Sequence, residues 1–231
     1  MTQDFFDDDE LNKLRDVTKI YYLVKELLLY SEHLDNQELF IPPVNEIKDS
    51  FDHLMRVFSV KFGFNEETQE YINVNLSKTY SHTYRALYDL LDYTAILQRK
   101  IIYDKVKDIS SETLNAIYPR FHQEIIPDIE NLSREIPKIK ENKDIWNPNT
   151  DDIENYMALI NKLKLHINGI DSIMPSLLRY ENEKKAKEEE KEKKDAETRK
   201  HDHRFNIFTG LVIAFFTVIL TLLGEHLLTP K

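Results

Sequence analysis

The sequence predicts an all-α protein: an elongated antiparallel helical bundle, then a charged helical stalk, then one C-terminal transmembrane helix. Three observations carry that prediction. Only four glycines and eight prolines occur in 231 residues, so long stretches lack the turn chemistry that a sheet of many strands requires. Apolar residues recur at three- and four-residue steps along most of the chain, the period of an amphipathic helix. Two stretches break this pattern, one of dense mixed charge and one uncharged and apolar. The expected division is 1–180 for a cytoplasmic bundle, 181–204 for the stalk, 205–223 for the membrane helix and 224–231 for a short non-cytoplasmic tail.

The bundle reads as about five helices. In the first, Leu11, Leu14, Val17, Tyr21, Val24 and Leu28 form one stripe. Pro42 and Pro43 interrupt the chain, after which Val44, Ile47, Phe51, Leu54 and Phe58 repeat at helical spacing. Gly63 ends this second helix, and Asn65 with Glu66 and Glu67 reads as the N-cap and acidic first turn of the third. The third helix meets no breaker before Ile109 and carries Tyr80, Tyr84, Leu87 and Leu91 on one face. Ser110-Ser111-Glu112 is a cap for the fourth, where Pro119, Pro127 and Pro137 predict kinks or short pieces. A loop around Trp146 and Pro148 leads to Thr150-Asp151-Asp152, the start signal of the fifth. There Ile153, Met157, Ile160, Leu163, Ile167 and Ile170 keep near-heptad spacing, and Pro175 is expected to bend the chain into the stalk. Long helices joined by short connections favour antiparallel neighbours. A parallel coiled coil through the last helix would suit an oligomeric anchor.

Residues 181–204 hold nine acidic and nine basic residues with no apolar stripe to bury. Glu183 and Lys187, Glu189 and Lys193, and Glu190 and Lys194 stand four apart with the acid first. That orientation stabilises an exposed helix by some tenths of a kcal/mol per pair. A solvated helical spacer of roughly 30 Å follows from the helical rise; the competing reading is a disordered charged linker.

The run FNIFTGLVIAFFTVILTLL, residues 205–223, carries no charge. A helix of that length spans roughly 28 Å, close to the hydrocarbon thickness of a bilayer. Arg199, Lys200 and Arg204 precede it and Lys231 follows it, so the larger part of the chain is expected on the cytoplasmic side of the cell membrane, tail-anchored. Asn206, Gly210, Ala214, Thr217, Thr221 and Gly224 share one stripe of this helix. Small residues let helix backbones approach in lipid, and Asn or Thr can hydrogen-bond across the contact. Self-association is therefore expected, and in a higher oligomer the same stripe would face a narrow pore.

Charge and composition exclude several classes. Thirty-one basic residues against 41 acidic ones give a net charge of −10, and no basic patch stands out, so nucleic-acid binding is not expected. No cysteine is present, which removes disulfides, cysteine zinc sites and thiol nucleophiles. The segment Met1 to Glu10 is acidic and lacks the basic and apolar regions of a signal peptide. No glycine-rich phosphate loop, serine elbow or paired zinc motif occurs, and no cofactor is expected.

One local pattern occurs twice. Phe51-Asp52-His53-Leu54-Met55-Arg56 and Tyr80-Ser81-His82-Thr83-Tyr84-Arg85 share aromatic-x-His-x-x-Arg. His and Arg three apart lie on one side of a helix. If the two helices pack together, His53, Arg56, His82 and Arg85 could converge with Asp52, Asp89 and Asp92 on a polar pocket for an anionic ligand, or for a histidine base. The competing reading makes Asp52–Arg56 and Arg85–Asp89 plain intrahelical ion pairs. The arginine-to-histidine spacing of helical HEPN-type ribonucleases is absent from the bundle. His201-Asp202-His203 could offer two metal ligands, but residues two apart on a helix do not readily reach one ion.

The leading expectation is a non-enzymatic, membrane-tethered helical module that self-associates and engages a cytoplasmic protein partner. In outline the plan resembles membrane-perturbing effectors of prokaryotic defence systems. That resemblance implies, as an alternative, a bilayer-permeabilising protein gated by its helical domain. Ligand binding or turnover at the paired His-x-x-Arg motifs is the third.

Overall fold

A computed structural model describes residues 5–141 and 150–228; the side chains at 140–141, 150, 201–204, 211–212, 215–216 and 218–228 lie outside that description. Every regular element among the described residues is helical: α1 (Asp8–Leu34), α2 (Ile41–Lys61), α3 (Gln69–Val106), α4 (Ser111–Ile117), a π-helical turn (Phe121–Ile125), α5 (Ile126–Glu141) and α6 (Thr150–Leu228). The expected loop around Trp146 and Pro148 lies outside the described residues.

The helix ends follow local chemistry. Asp7 caps α1 through a reciprocal capping box with Glu10, which satisfies two orphan donors at once. Pro42 and Pro43 do not separate helices from outside; they occupy the first turn of α2, where a missing N–H is harmless. Gly63, at φ +75°, ends α2. The expected N-cap at Asn65 is corrected: Thr68 caps α3, its side chain accepting from Tyr71 N. Asn65 N instead donates back to Ser59 O at the end of α2, so Glu66 and Glu67 precede the helix. Ser110 caps α4 as expected. The proline-rich stretch breaks into α4, the π-helical turn and α5, with Pro137 inside α5. Pro175 lies inside α6, which is assigned as one continuous helix.

The chain divides into two compact units, Met1–Leu177 and Leu178–Lys231. In the first, contact partners fix the helix directions. Glu10 meets Gln69 and Tyr30 meets Gln98, so α1 and α3 run parallel. Glu46 meets His82 and His53 meets Asn75, so α2 runs against them. Asp92 meets Tyr156 and Lys105 meets Asp171, which aligns α6 with α3. The hydroxyl of Tyr118 lies against Gly169 and Asp128 against His166, so the α4–α5 segment descends between them. Sequence neighbours are thus antiparallel throughout.

The core is built on α3. Tyr84, Leu87, Tyr88, Leu91 and Ile102 are buried there among Ile160, Leu163 and Ile170 of α6, Ile129 and Leu132 of α5, and Val24 and Leu27 of α1. Burying each such side chain contributes about 1.5–3 kcal/mol. Helix α2 is the exception. It supplies no fully buried member of this cluster and instead places Val57 in a small second cluster with Ile72 and Leu76.

The second unit is the remainder of α6. Lys185–Glu181, Lys184–Glu188 and Lys194–Glu190 close at 3.8, 4.0 and 2.6 Å along its charged stretch. Among the described residues no helix is long and apolar enough to cross a membrane. Ten of the nineteen side chains of 205–223 lie outside the described set.

Candidate functional site

Helix α2 meets α3 along a polar seam. On α2 the seam comprises Glu46, Ser50 and His53; on α3 it comprises Asn75, Thr79, His82 and Thr83. Steps of four and three on α2, and on α3 of four from Asn75 to Thr79 and then three or four to His82 and Thr83, line these residues up on facing stripes. Ser50 Oγ donates to Thr79 O (3.0 Å) or to Thr83 Oγ1 (2.8 Å), deep in the contact.

The two histidines do converge. Their rings stack with centroids 5.3 Å apart at 21°. Asn75 Nδ2 donates to Tyr71 O, so its Oδ1 is the acceptor 2.8 Å from His53 Nδ1. His53 therefore carries its proton on Nδ1. Glu46 Oε2 lies 2.8 Å from His82 Nδ1, and a carboxylate only accepts, so His82 is also Nδ1–H. That nitrogen cannot then accept from Arg85 Nη2 at 3.1 Å; both are donors drawn to Glu46, whose Oε2 lies 3.3 Å from Arg85 Nε.

The other expected members separate. Arg56 pairs with Asp52 at 2.7 Å, both about half exposed, which is the plain intrahelical reading. Asp92 lies across α3 and accepts from Tyr156 Oη at 2.7 Å. Burial and then Asp92 drive the Tyr156 phenol well above its ordinary pKa. Asp89 is half-buried and engaged, one turn beyond Arg85. The side chains of His201, Asp202 and His203 lie outside the described residues. No group of three metal-ligating side chains occurs among the described residues.

Four seam residues, Glu46, Ser50, Asn75 and Thr79, escape a reading of the sequence. Glu46 is the residue that collects His82 and Arg85, and its only signal is the position seven before His53 on the same helix. A second polar cluster went unread as well. His166 is buried, its Nε2 2.6 Å from Asp128 Oδ2, and Lys162 Nζ reaches the other carboxylate oxygen at 2.6 Å. Desolvation would raise the Asp128 pKa; the hydrogen bonds from Lys162 and His166 outweigh it and hold the carboxyl below its ordinary value.

With its proton-bearing atoms engaged between helices, the histidine pair serves as an interhelical clasp. Replacing His53 and His82 together by alanine is expected to lower stability by about 1–3 kcal/mol, since Glu46 and Asn75 each lose a partner. Chemical denaturation with circular dichroism reads this effect.

In the expected stripe of small and polar residues along 205–224, Asn206, Gly210, Ala214 and Thr217 are exposed. A Cβ added at Gly210 would meet nothing within 4 Å. The Thr217 hydroxyl donates to Ile213 O of its own helix at 2.8 Å. The side chains of Thr221 and Gly224 lie outside the described residues.

No protein-family model matches this chain, and comparison with known proteins and with solved structures finds no significant match. The described features define a class only: an all-α helical bundle continued by a long charged helix.

Proposed function

We propose that this protein is a membrane-tethered helical module that self-associates and works through protein contacts. One observation carries the reading: at the far end of α6 the uncharged run 205–223 follows a solvated, ion-paired helix. Its described side chains support this, with Phe205 61%, Ile207 52%, Phe208 66% and Ile213 61% exposed. A helix that presents bulky apolar groups so freely is suited to lipid or to another helix. Arg199, Lys200 and Arg204 on the preceding side favour a cytoplasmic bundle. The stripe of Asn206, Gly210, Ala214, Thr217, Thr221 and Gly224 is the contact through which copies would meet.

The test combines extraction and mass. The full chain is expected to resist alkaline carbonate washing of membranes and to run as an oligomer in mild detergent. Changing Phe208 and Ile213 to lysine should release it, because a charge near the centre of a span, as at 213, costs about 2.5–3.5 kcal/mol and a second at 208 shortens the apolar run. Changing Gly210 and Ala214 to leucine should leave the chain in the membrane but reduce it to monomer. A wild-type chain that washes off overturns the tether, and one that is monomeric in mild detergent overturns the self-association. Expression with loss of membrane potential would move the proposal toward a permeabilising effector.

A further inference from the structure

The first unit ends in an exposed cluster of five phenylalanines. Phe5 packs on Phe6 and Phe62 with ring centroids 4.9 and 5.2 Å apart, and Phe58 joins Phe6 to Phe62 at 5.9 and 5.7 Å. Phe64 adds to the edge at 6.2 Å from Phe62. Despite these contacts, Phe5, Phe62 and Phe64 are 46%, 59% and 83% exposed.

The segment that presents the rings is held in place. Gly63 N donates to Val60 O at 2.9 Å and Phe64 N to Ser59 O at 2.9 Å, with Gly63 at φ +75°. This is the glycine-terminated helix end whose two bonds satisfy the last carbonyls. In such an end the residue after the glycine commonly folds back onto the helix; Phe64 stays out in solvent. An apolar surface on an ordered support is a feature of contact sites.

Charge decides what the surface fits. Asp7, Asp8 and Asp9 at the start of α1 are exposed, as are Glu66, Glu67 and Glu70, which follow Phe64 within six residues. A cavity of about 610 Å³ opens here, lined by Phe5, Phe6, Asp7, Asp8, Leu11 and Lys61 among others. The Lys61 charge is matched by the buried Glu10 carboxylate at 2.6 Å. The same ammonium lies 5.3 Å from the centre of the Phe6 ring, so a ring of this cluster already takes a cation on its face. An anionic lipid surface or a phosphate backbone would be repelled by the carboxylates. A second copy, meeting this patch face to face, would bring the same acidic rims together.

We infer that this surface docks a basic protein segment that carries apolar side chains between its arginines or lysines. The apolar groups cover the phenylalanines, and the cations meet the carboxylates and ring faces. Aromatic residues and arginine are the commonest anchors of such contacts. The inference rests on the interaction half of the proposed function and is independent of the tether.

The test uses fluorescent synthetic peptides and the full chain in mild detergent. An arginine–leucine peptide is expected to bind saturably, an arginine–serine peptide weakly, and a glutamate–leucine peptide not at all. Changing Phe62 and Phe64 to serine should weaken the first by about tenfold or more, a usual effect of removing contact anchors. Changing Asp8 and Asp9 to asparagine should weaken it at low salt and less at high salt. Changing Phe51, exposed on α2 away from the cluster, should leave it unaltered. All these positions are exposed, and circular dichroism checks that each variant folds. No saturable binding to the wild-type chain overturns the inference, as does binding indifferent to Phe62 and Phe64. Variants that alter vesicle binding or oligomer mass but not peptide binding overturn it too. Repeating the measurement on the chain with lysines at 208 and 213 separates the two proposals: docking should persist where membrane retention is lost.

Discussion

Replacing Glu10 by alanine is expected to lower the stability of the bundle by about 3–5 kcal/mol, the usual consequence of removing one partner of a buried ion pair. Glu10 is fully buried and does several jobs at once. Its Oε2 accepts from Asp7 N at 2.9 Å, completing the cap of α1, and from Lys61 Nζ at 2.6 Å. Its Oε1 accepts from Gln69 Nε2 at 2.9 Å. One carboxylate therefore joins the beginning of α1, the end of α2 and the beginning of α3. Alanine would strand the Lys61 ammonium, whose side chain is only 16% exposed, and would open the cap. Glutamine keeps the shape but not the charge, and should recover part of the loss. Urea unfolding at neutral pH measures both.

The same site gives stability a direction with pH. Burial would raise the Glu10 pKa, but hydrogen bonds from Lys61, Gln69 and the Asp7 backbone prevail and hold it below its ordinary value. A carboxyl depressed in the folded state contributes stability above its unfolded pKa, and loses it as pH falls through the folded one. The loss should begin in the ordinary carboxylate range, roughly pH 4–5, and be complete only at lower pH. In the glutamine variant that part of the acid sensitivity should vanish.

Asp128 to alanine is the second large effect, about 2–3 kcal/mol by the penalty for stranding buried polar partners. His166 Nε2 would lose its acceptor in a side chain only 9% exposed. Lys162 is 55% exposed and can turn to water, which limits the loss. The sign with pH is that of Glu10: the Asp128 carboxyl is held below its ordinary value, so its contribution is present near neutrality and fades as pH falls through the carboxylate range. Asparagine retains the acceptor oxygen and should cost less than alanine while removing the acid-side slope. A shift in midpoint at neutral pH with an unchanged acid profile would contradict the assignment.

Much of the fold was legible because helices announce themselves locally. Val24, Tyr84, Leu91, Ile160 and Leu163 of the expected stripes lie in the core, whereas Tyr21 is 45% exposed and Ile20 and Leu27 take the buried positions on α1. Ser110 was readable as a cap and Gly63 as a stop because the chemistry of each end lies within a few residues. Asn65 misled because a residue suited to capping was followed by two acids; its backbone N–H was claimed by Ser59 O at the end of α2. The stripe on α2 was equally readable, yet it did not reveal that Phe51 stays 59% exposed while Ser50 is buried.

The candidate site divided in the same way. That His53 and His82 would meet followed from their matching patterns once the two helices were placed together. Which partners they would take did not follow, because Glu46 and Asn75 stand on opposite helices and the spacing of Glu46 from His53 does not by itself mark it as a partner of His82. Arg56 and Asp52 found each other within one turn, and a local pair needs no tertiary contact to form.

The sequence by itself determined the helical class, the helix ends marked by Gly63, Ser110 and Thr150, the charged stretch and the uncharged run at 205–223, since each depends on neighbours within a turn or two. Only the tertiary structure decided that Glu10 would bind α1, α2 and α3 together, that Asp128 would anchor His166, and that Phe5 and Phe6 would gather with Phe58, Phe62 and Phe64. The physical reason is range. Periodicity and capping act over three or four residues, whereas the partner of a buried charge and the company of an aromatic ring are set by which helices the whole core brings into contact.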